Sequence, residues 1–229
     1  MKQKLTAEFL GTFILVFAGT GAIIVHTLTG ALGHSGVALT FGFVVVALIY
    51  SFGHISGAHF NPAVTIAFTA IGEFKPREAF SYILAQISGA VLASGILIYL
   101  FLEDFTFIEE VAYLGATLPR GSEVQSFALE FILTFILMLV ICASAVHGKA
   151  IKSFAGVAIG LSVGIEAMFA GPISGASMNP ARSIAPAIVS GHLEHLWIYV
   201  VATILGAMLG ALVFKYLLKC DSKQECSLS

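Results

Sequence analysis

Two side-chain amides, an arginine and a histidine are the polar groups whose types and spacing in this 229-residue chain suggest chemistry. Asn61 and His59 lie in SGAHFNPAVT (56–65), and Asn179 and Arg182 lie in SGASMNPARS (174–183). An amide donates and accepts hydrogen bonds without carrying charge, so two amides can hold a neutral polar solute while a nearby guanidinium turns cations away. Neither stretch contains a carboxylate. A hydrolytic centre assembled from Ser56, His59 and Glu166 has no nucleophile motif behind it, so no catalytic residue is expected. Cys142, Cys220 and Cys226 form neither a disulfide framework nor a zinc-ligand spacing, and no metal or cofactor is expected.

The elements that must position these groups lie in lipid. The chain is 58% hydrophobic and 10% charged with a mean hydropathy of +0.98, whereas a soluble domain carries about a quarter charged residues. A net charge of -2 gives no basic stripe for nucleic acid. The opening MKQKLTAEFLGTFILVFAGTGAIIV runs straight into a span and reads as a first transmembrane helix, not a cleaved leader. Further apolar segments at 36–54, 79–102, 125–147, 154–171 and 195–218 each approach the ~20 residues that cross a bilayer core. With six spans, Lys2, Lys4, Lys75, Arg77, Lys149, Lys152, Lys215, Lys219 and Lys223 share one side. The other side holds Arg120 with Glu103, Asp104, Glu109, Glu110, Glu123 and Glu194, which places both termini in the cytoplasm of a cell membrane.

Asn followed by Pro breaks a helix, and a broken helix at membrane depth needs a reason. Asn61 and Asn179 suit the N-cap, and Pro62 and Pro180 suit the first helical position, where the missing N–H costs nothing. Residues 61–72 and 179–189 then form short helices of about 15 Å, roughly half the bilayer. The two stretches are copies: Ser56, Gly57, Ala58, Asn61, Pro62 and Ala63 recur 118 residues later as Ser174, Gly175, Ala176, Asn179, Pro180 and Ala181. AEFLGTFIL (7–15) likewise echoes LEFILTFIL (129–137), with Glu8 against Glu130. Three spans per copy force the second copy to enter from the opposite face, so the repeats are inverted, at about 1–105 and about 122–220, with a tail over 219–229, all within one transmembrane channel domain. The half-helices would meet near the midplane, each presenting roughly +0.5 charge at its N-terminus, an arrangement that orients water and repels protons and cations. The non-helical Gly57, Ala58, His59 and Phe60, and Gly175 and Ser177, would line the path.

A charge at mid-membrane costs about 2.5–3.5 kcal/mol, so each needs a partner or water. Glu8 and Glu130 occupy equivalent places and suit holding half-helix backbone N–H groups. Glu166 has no mate in the first half. Three readings stand open for it: a protonated buried acid, a partner for Arg182, or a pH-sensitive pore element. Gly156, Gly160 and Gly164, and Gly206 with Gly210, form four-residue stripes that mark close helix packing.

With the paired NPA motifs, NPARS and AEFLGTF, the chain resembles the aquaporin, or major intrinsic protein, family over nearly its whole length. FAGPISGASMNPARSIAPAIVS and LWIYVVA resemble its plant nodulin-26-like branch. The resemblance implies an all-α membrane protein with six transmembrane helices plus two half-helices as inverted three-helix repeats. It also implies a right-handed bundle, a homotetramer with one pore per protomer, and a four-residue constriction at Phe41, Ala167, Ala176 and Arg182. Water-selective members carry histidine at the position of Ala167, so a wider, less polar filter is expected here. Ser183, where glycerol facilitators have aspartate, and Ala187 point toward water instead, and Phe41 is smaller than the tryptophan of many nodulin-like channels. The expected partners are membrane lipid, water and small uncharged solutes such as glycerol, ammonia or metalloid hydroxides, and no nucleic acid. The alternatives are a strictly water-selective pore, a secondary transporter built on inverted repeats, and a junctional role. The loop at 103–123 is placed to cap the mouth.

Overall fold

The computed structural model describes residues 1–101 and 111–219, and every regular element in them is helical. Glu103, Asp104, Glu109 and Glu110 of the long loop, and Cys220, Lys223 and Cys226 of the tail, lie outside the described residues. In chain order the helices are α1 (Lys2–Thr29), α2 (Gly33–Ser56), α3 (Pro62–Ile71) and α4 (Pro76–Phe101). A single turn, α5 (Ala112–Gly115), is followed by α6 (Glu123–Ile141), α7 (Ala155–Ser174), α8 (Pro180–Ser190) and α9 (Leu196–Val213). α6 and α9 each continue for five residues as wider π-helical turns, Cys142–Val146 and Phe214–Leu218. Six helices are long and apolar enough to cross a membrane, while α3 and α8 reach only part way. The observed ends fall within a few residues of the expected spans.

The helix ends follow from local chemistry. α3 and α8 open on Asn61 and Asn179 in extended backbone, with proline as the first helical residue. Their other ends stop at Gly72 and Gly191, whose left-handed φ of 84° and 76° glycine adopts without strain. Pairing of the long helices depends on residues without side chains. α2 packs on α7 where Gly42 and Gly160 face each other, and a Cβ on Gly42 would stand 2.8 Å from the Gly160 carbonyl. α1 packs on α4 with Gly89 against the Phe9 carbonyl, and α6 packs on α9 with Gly206 against the Phe131 carbonyl. Of the glycines in the expected stripes, Gly160, Gly206 and Gly210 meet backbone of a facing helix within 3 Å of a built Cβ.

Candidate functional site

α3 and α8 meet N-terminus to N-terminus. The Asn61 side-chain oxygen accepts from the Ala63 N–H at 2.9 Å, and its Nδ2 donates to the Met178 carbonyl at 2.7 Å. Asn179 does the same in reverse, accepting from Ala181 at 3.0 Å and donating through Nδ2 to the Phe60 carbonyl at 2.8 Å. Each asparagine thus caps its own half-helix and clasps the loop of the other. Ala63 and Ala181 are fully buried, and Pro62 and Pro180 are buried with them. These four residues place the asparagines and do not line the path.

The loops before the asparagines bend through left-handed backbone at equivalent places. Gly57 and Gly175, Ala58 and Ala176, and Phe60 and Met178 all have positive φ. For the non-glycine residues this costs on the order of 1 kcal/mol or more each and persists only where the surroundings fix it. The buried carboxylates do the fixing. Glu8 Oε1 accepts from the Ser56 hydroxyl at 2.7 Å and the His59 N–H at 3.0 Å, and Oε2 accepts from the Phe60 N–H at 2.8 Å. Glu130 accepts from the Ser174 hydroxyl at 2.7 Å, and from the N–H groups of Ser177 and Met178 at 2.9–3.0 Å. Tyr82 and Tyr199 donate their hydroxyls to the Ser56 and Ser174 carbonyls, at 2.9 and 2.7 Å. Gln86 also donates to Glu8, at 2.7 Å, and to Thr65.

Two cavities approach this clasp from opposite ends. One, of about 140 Å³, opens toward the side of the termini. Gly57, Ala58, His59, Phe60, Asn61, Ser177 and Asn179 line it among a largely aliphatic wall. The other, of about 770 Å³, is a vestibule on the far side lined by His26, His34, Tyr113, Arg120 and Gly175 among others. Four residues belong to both linings: Phe41, Ala167, Ala176 and Arg182. They are the four constriction positions that the resemblance implies, and two of them end in a methyl group.

Arg182 is 2% exposed, its guanidinium carbon lies 5.1 Å from the Phe41 ring centroid, and Nη1 donates to the Gly115 carbonyl at 2.7 Å. That carbonyl is presented by α5, where Ala112, Tyr113, Leu114 and Gly115 all have left-handed φ. On the vestibule wall, Pro172 has no N–H to give the carbonyl of Met168 one turn earlier, and His34 Nε2 lies 2.7 Å from that carbonyl instead.

His59 lines the cavity and contacts Thr65 Oγ1 through Nδ1 at 3.0 Å, within an aromatic cage of Phe68, Phe74 and Tyr82. Its equivalent, Ser177, bonds Ser183, which also accepts from Thr117 at 2.8 Å. Ser183 and Ala187 are buried and line neither cavity, so the aquaporin-like markers there do not touch the path. Glu166 also lines neither cavity. Its Oε1 accepts from Ser162 of the same helix at 2.7 Å, and no ion pair to Arg182 forms among the described residues. Of the three readings, this placement corrects the Arg182 partner and the pore element and leaves the buried acid. The residues that sequence reasoning missed are Gly115, Thr117, Tyr82, Tyr199 and Gln86. Only the two tyrosines left a signal, since each lies in the third span of its half.

Comparison with known proteins bears on the family and the fold. The family described as Major intrinsic protein matches residues 1–214. A probable aquaporin of NIP type from Nicotiana alata is 47% identical over 219 residues, covering 96% of this chain and 79% of that protein. Nodulin-26 of Glycine max is 44% identical over 213 residues, covering 93% and 76%. Among solved structures, the aquaglyceroporin from Plasmodium falciparum superposes with a TM-score of 0.88 at 25% identity, covering 100% of this chain and 99% of that one. The chain therefore belongs to the major intrinsic protein family.

Proposed function

We propose that the protein is a passive channel for water and small uncharged solutes that turns back protons and ions. The observation that carries this reading is the junction of the two cavities at Phe41, Ala167, Ala176 and Arg182 alone. A solute leaving the vestibule meets one guanidinium, one ring and two methyl groups, and then reaches the asparagine amides. The small Ala167 and Ala176 favour a filter that admits glycerol, urea, ammonia or metalloid hydroxides beside water. Relatives named as NIP-type aquaporins and a neighbour named as an aquaglyceroporin support that range.

Ion rejection is assigned to Arg182 and to the two half-helix N-termini that converge beside it. No carboxylate lines either cavity among the described residues, which favours a channel over a carrier with a coupling site. The functional unit is a homotetramer with one pore per protomer, each protomer one domain of two inverted halves with both termini cytoplasmic. The distribution of lysine and arginine supports that orientation. Stopped-flow light scattering on proteoliposomes tests the reading, first under a sucrose gradient and then under glycerol and urea gradients. All three permeabilities are expected to exceed those of protein-free vesicles. Water flux without glycerol or urea flux would make the pore strictly water-selective, and no enhanced flux at all would remove the channel reading.

A further inference from the structure

Among the glycines whose Cβ position is crowded, backbone of a facing helix and the ring of a single aromatic side chain are two distinct surroundings. At Gly42, Gly89 and Gly206 the space for a Cβ is closed by backbone of a facing helix, which is packing. At Gly19 on α1 the three nearest atoms all belong to one side chain, the Phe41 ring, and a Cβ would overlap Cε1 and stand 2.5–2.6 Å from Cζ and Cδ1. Gly11, two turns earlier on the same helix, stands in the same relation to the ring of Phe60. Gly19 itself lines neither cavity.

We infer that Gly19 is a specificity-determining position: its absent side chain is the socket that receives the Phe41 ring and thereby sets the aperture of the constriction. The ring faces Gly19 on α1, both cavities, and the Arg182 guanidinium 5.1 Å from its centroid. A methyl group at position 19 cannot coexist with the ring where it stands. The atoms that must yield are the end of a side chain, so the ring moves off α1 toward Arg182 and the lumen. The two halves of the sequence differ here in a matching way. Counting from Glu8 and Glu130, Gly19 corresponds to Ile141, and counting from Ser56 and Ser174, Phe41 corresponds to Ile159. Both isoleucines line the cavity on the side of the termini. The pair of Gly19 and Phe41 therefore has no counterpart in the second half of the chain.

This inference rests on Phe41 being a filter residue, and the variants separate the two claims. Permeabilities to water, urea and glycerol are measured in proteoliposomes for the parent, Gly19→Ala, Phe41→Leu and the double variant. Gly19→Ala is expected to lower glycerol permeability about threefold or more, urea less and water least, because exclusion by size depends steeply on pore diameter. Phe41→Leu raises the glycerol-to-water ratio, and the double variant recovers the loss because the ring that required the socket is gone. If the parent passes water alone, the expected loss and recovery are read in water flux. A changed ratio in Phe41→Leu with parent selectivity in Gly19→Ala overturns the socket and leaves the filter. No change in Phe41→Leu overturns both. Equal losses for all solutes in Gly19→Ala that the double variant fails to recover reduce Gly19 to a folding position, and Gly19→Ser checks that outcome with a second side chain.

Discussion

Arg182 is 2% exposed, between the Gly115 carbonyl and the Phe41 ring, and the proposed rejection of cations rests on it. Arg182→Val is therefore expected to keep water flux and to raise proton or small-cation conductance, read with a pH-sensitive dye inside proteoliposomes. Conductance at the parent level would show that the half-helix dipoles suffice without it. Ala167 leaves the opposite wall of the constriction with only a methyl group. Histidine there would narrow the opening and add a polar edge, so Ala167→His should lower glycerol permeability several-fold and water permeability by less. Equal losses would mean general damage instead of altered selection. Glu166 neighbours Ala167 in sequence but bonds Ser162 and lines neither cavity, so Glu166→Gln should leave the pH profile of permeability as it is in the parent. A flattened profile would return it to the pore.

Whole elements here are fixed at their ends. The carbonyls at the C-terminus of α3 carry partial negative charge, and the Lys215 ammonium at the end of the last span donates to the Ile71 carbonyl at 3.0 Å, while Lys219 pairs with Glu73 at 2.6 Å. Lys215→Met keeps the apolar stem and removes the charge. It should cost roughly 1 kcal/mol, the range of a cation at a helix C-terminus, read as a lowered unfolding midpoint in detergent with solute selectivity unchanged. An unchanged midpoint would mean that solvent already satisfies that carbonyl. The half-helices themselves were legible because Asn and Pro at their starts are local signals, whereas their stops at Gly72 and Gly191 emerged from the structure. The buried carboxylates were legible as a symmetric pair. The Gly115 carbonyl that holds Arg182 was not, because the left-handed turn of α5 contains three non-glycine residues with positive φ and no motif announces them. Gln86 reads in sequence as one more polar residue in a span, and only folding brings it 2.7 Å from Glu8.

Across the molecule, two half-helices, two carboxylates and two tyrosines repeat one construction from opposite directions, and several departures from that symmetry line the cavities. His59 against Ser177, Phe60 against Met178, and Phe41 against Ile159 make one end of the path unlike the other. Asn61 and Asn179 each bond the opposite loop, so parting the halves would break both bonds and expose the carboxylates behind them. Flux should therefore follow the gradient of the solute alone. The most direct measurement is the initial rate of glycerol influx into proteoliposomes against glycerol concentration, with and without collapse of an imposed proton gradient. A rate that rises linearly without saturation and is indifferent to the proton gradient is the result expected of a channel. Saturation together with loss of uptake when the gradient is collapsed would contradict it and point to a coupled carrier.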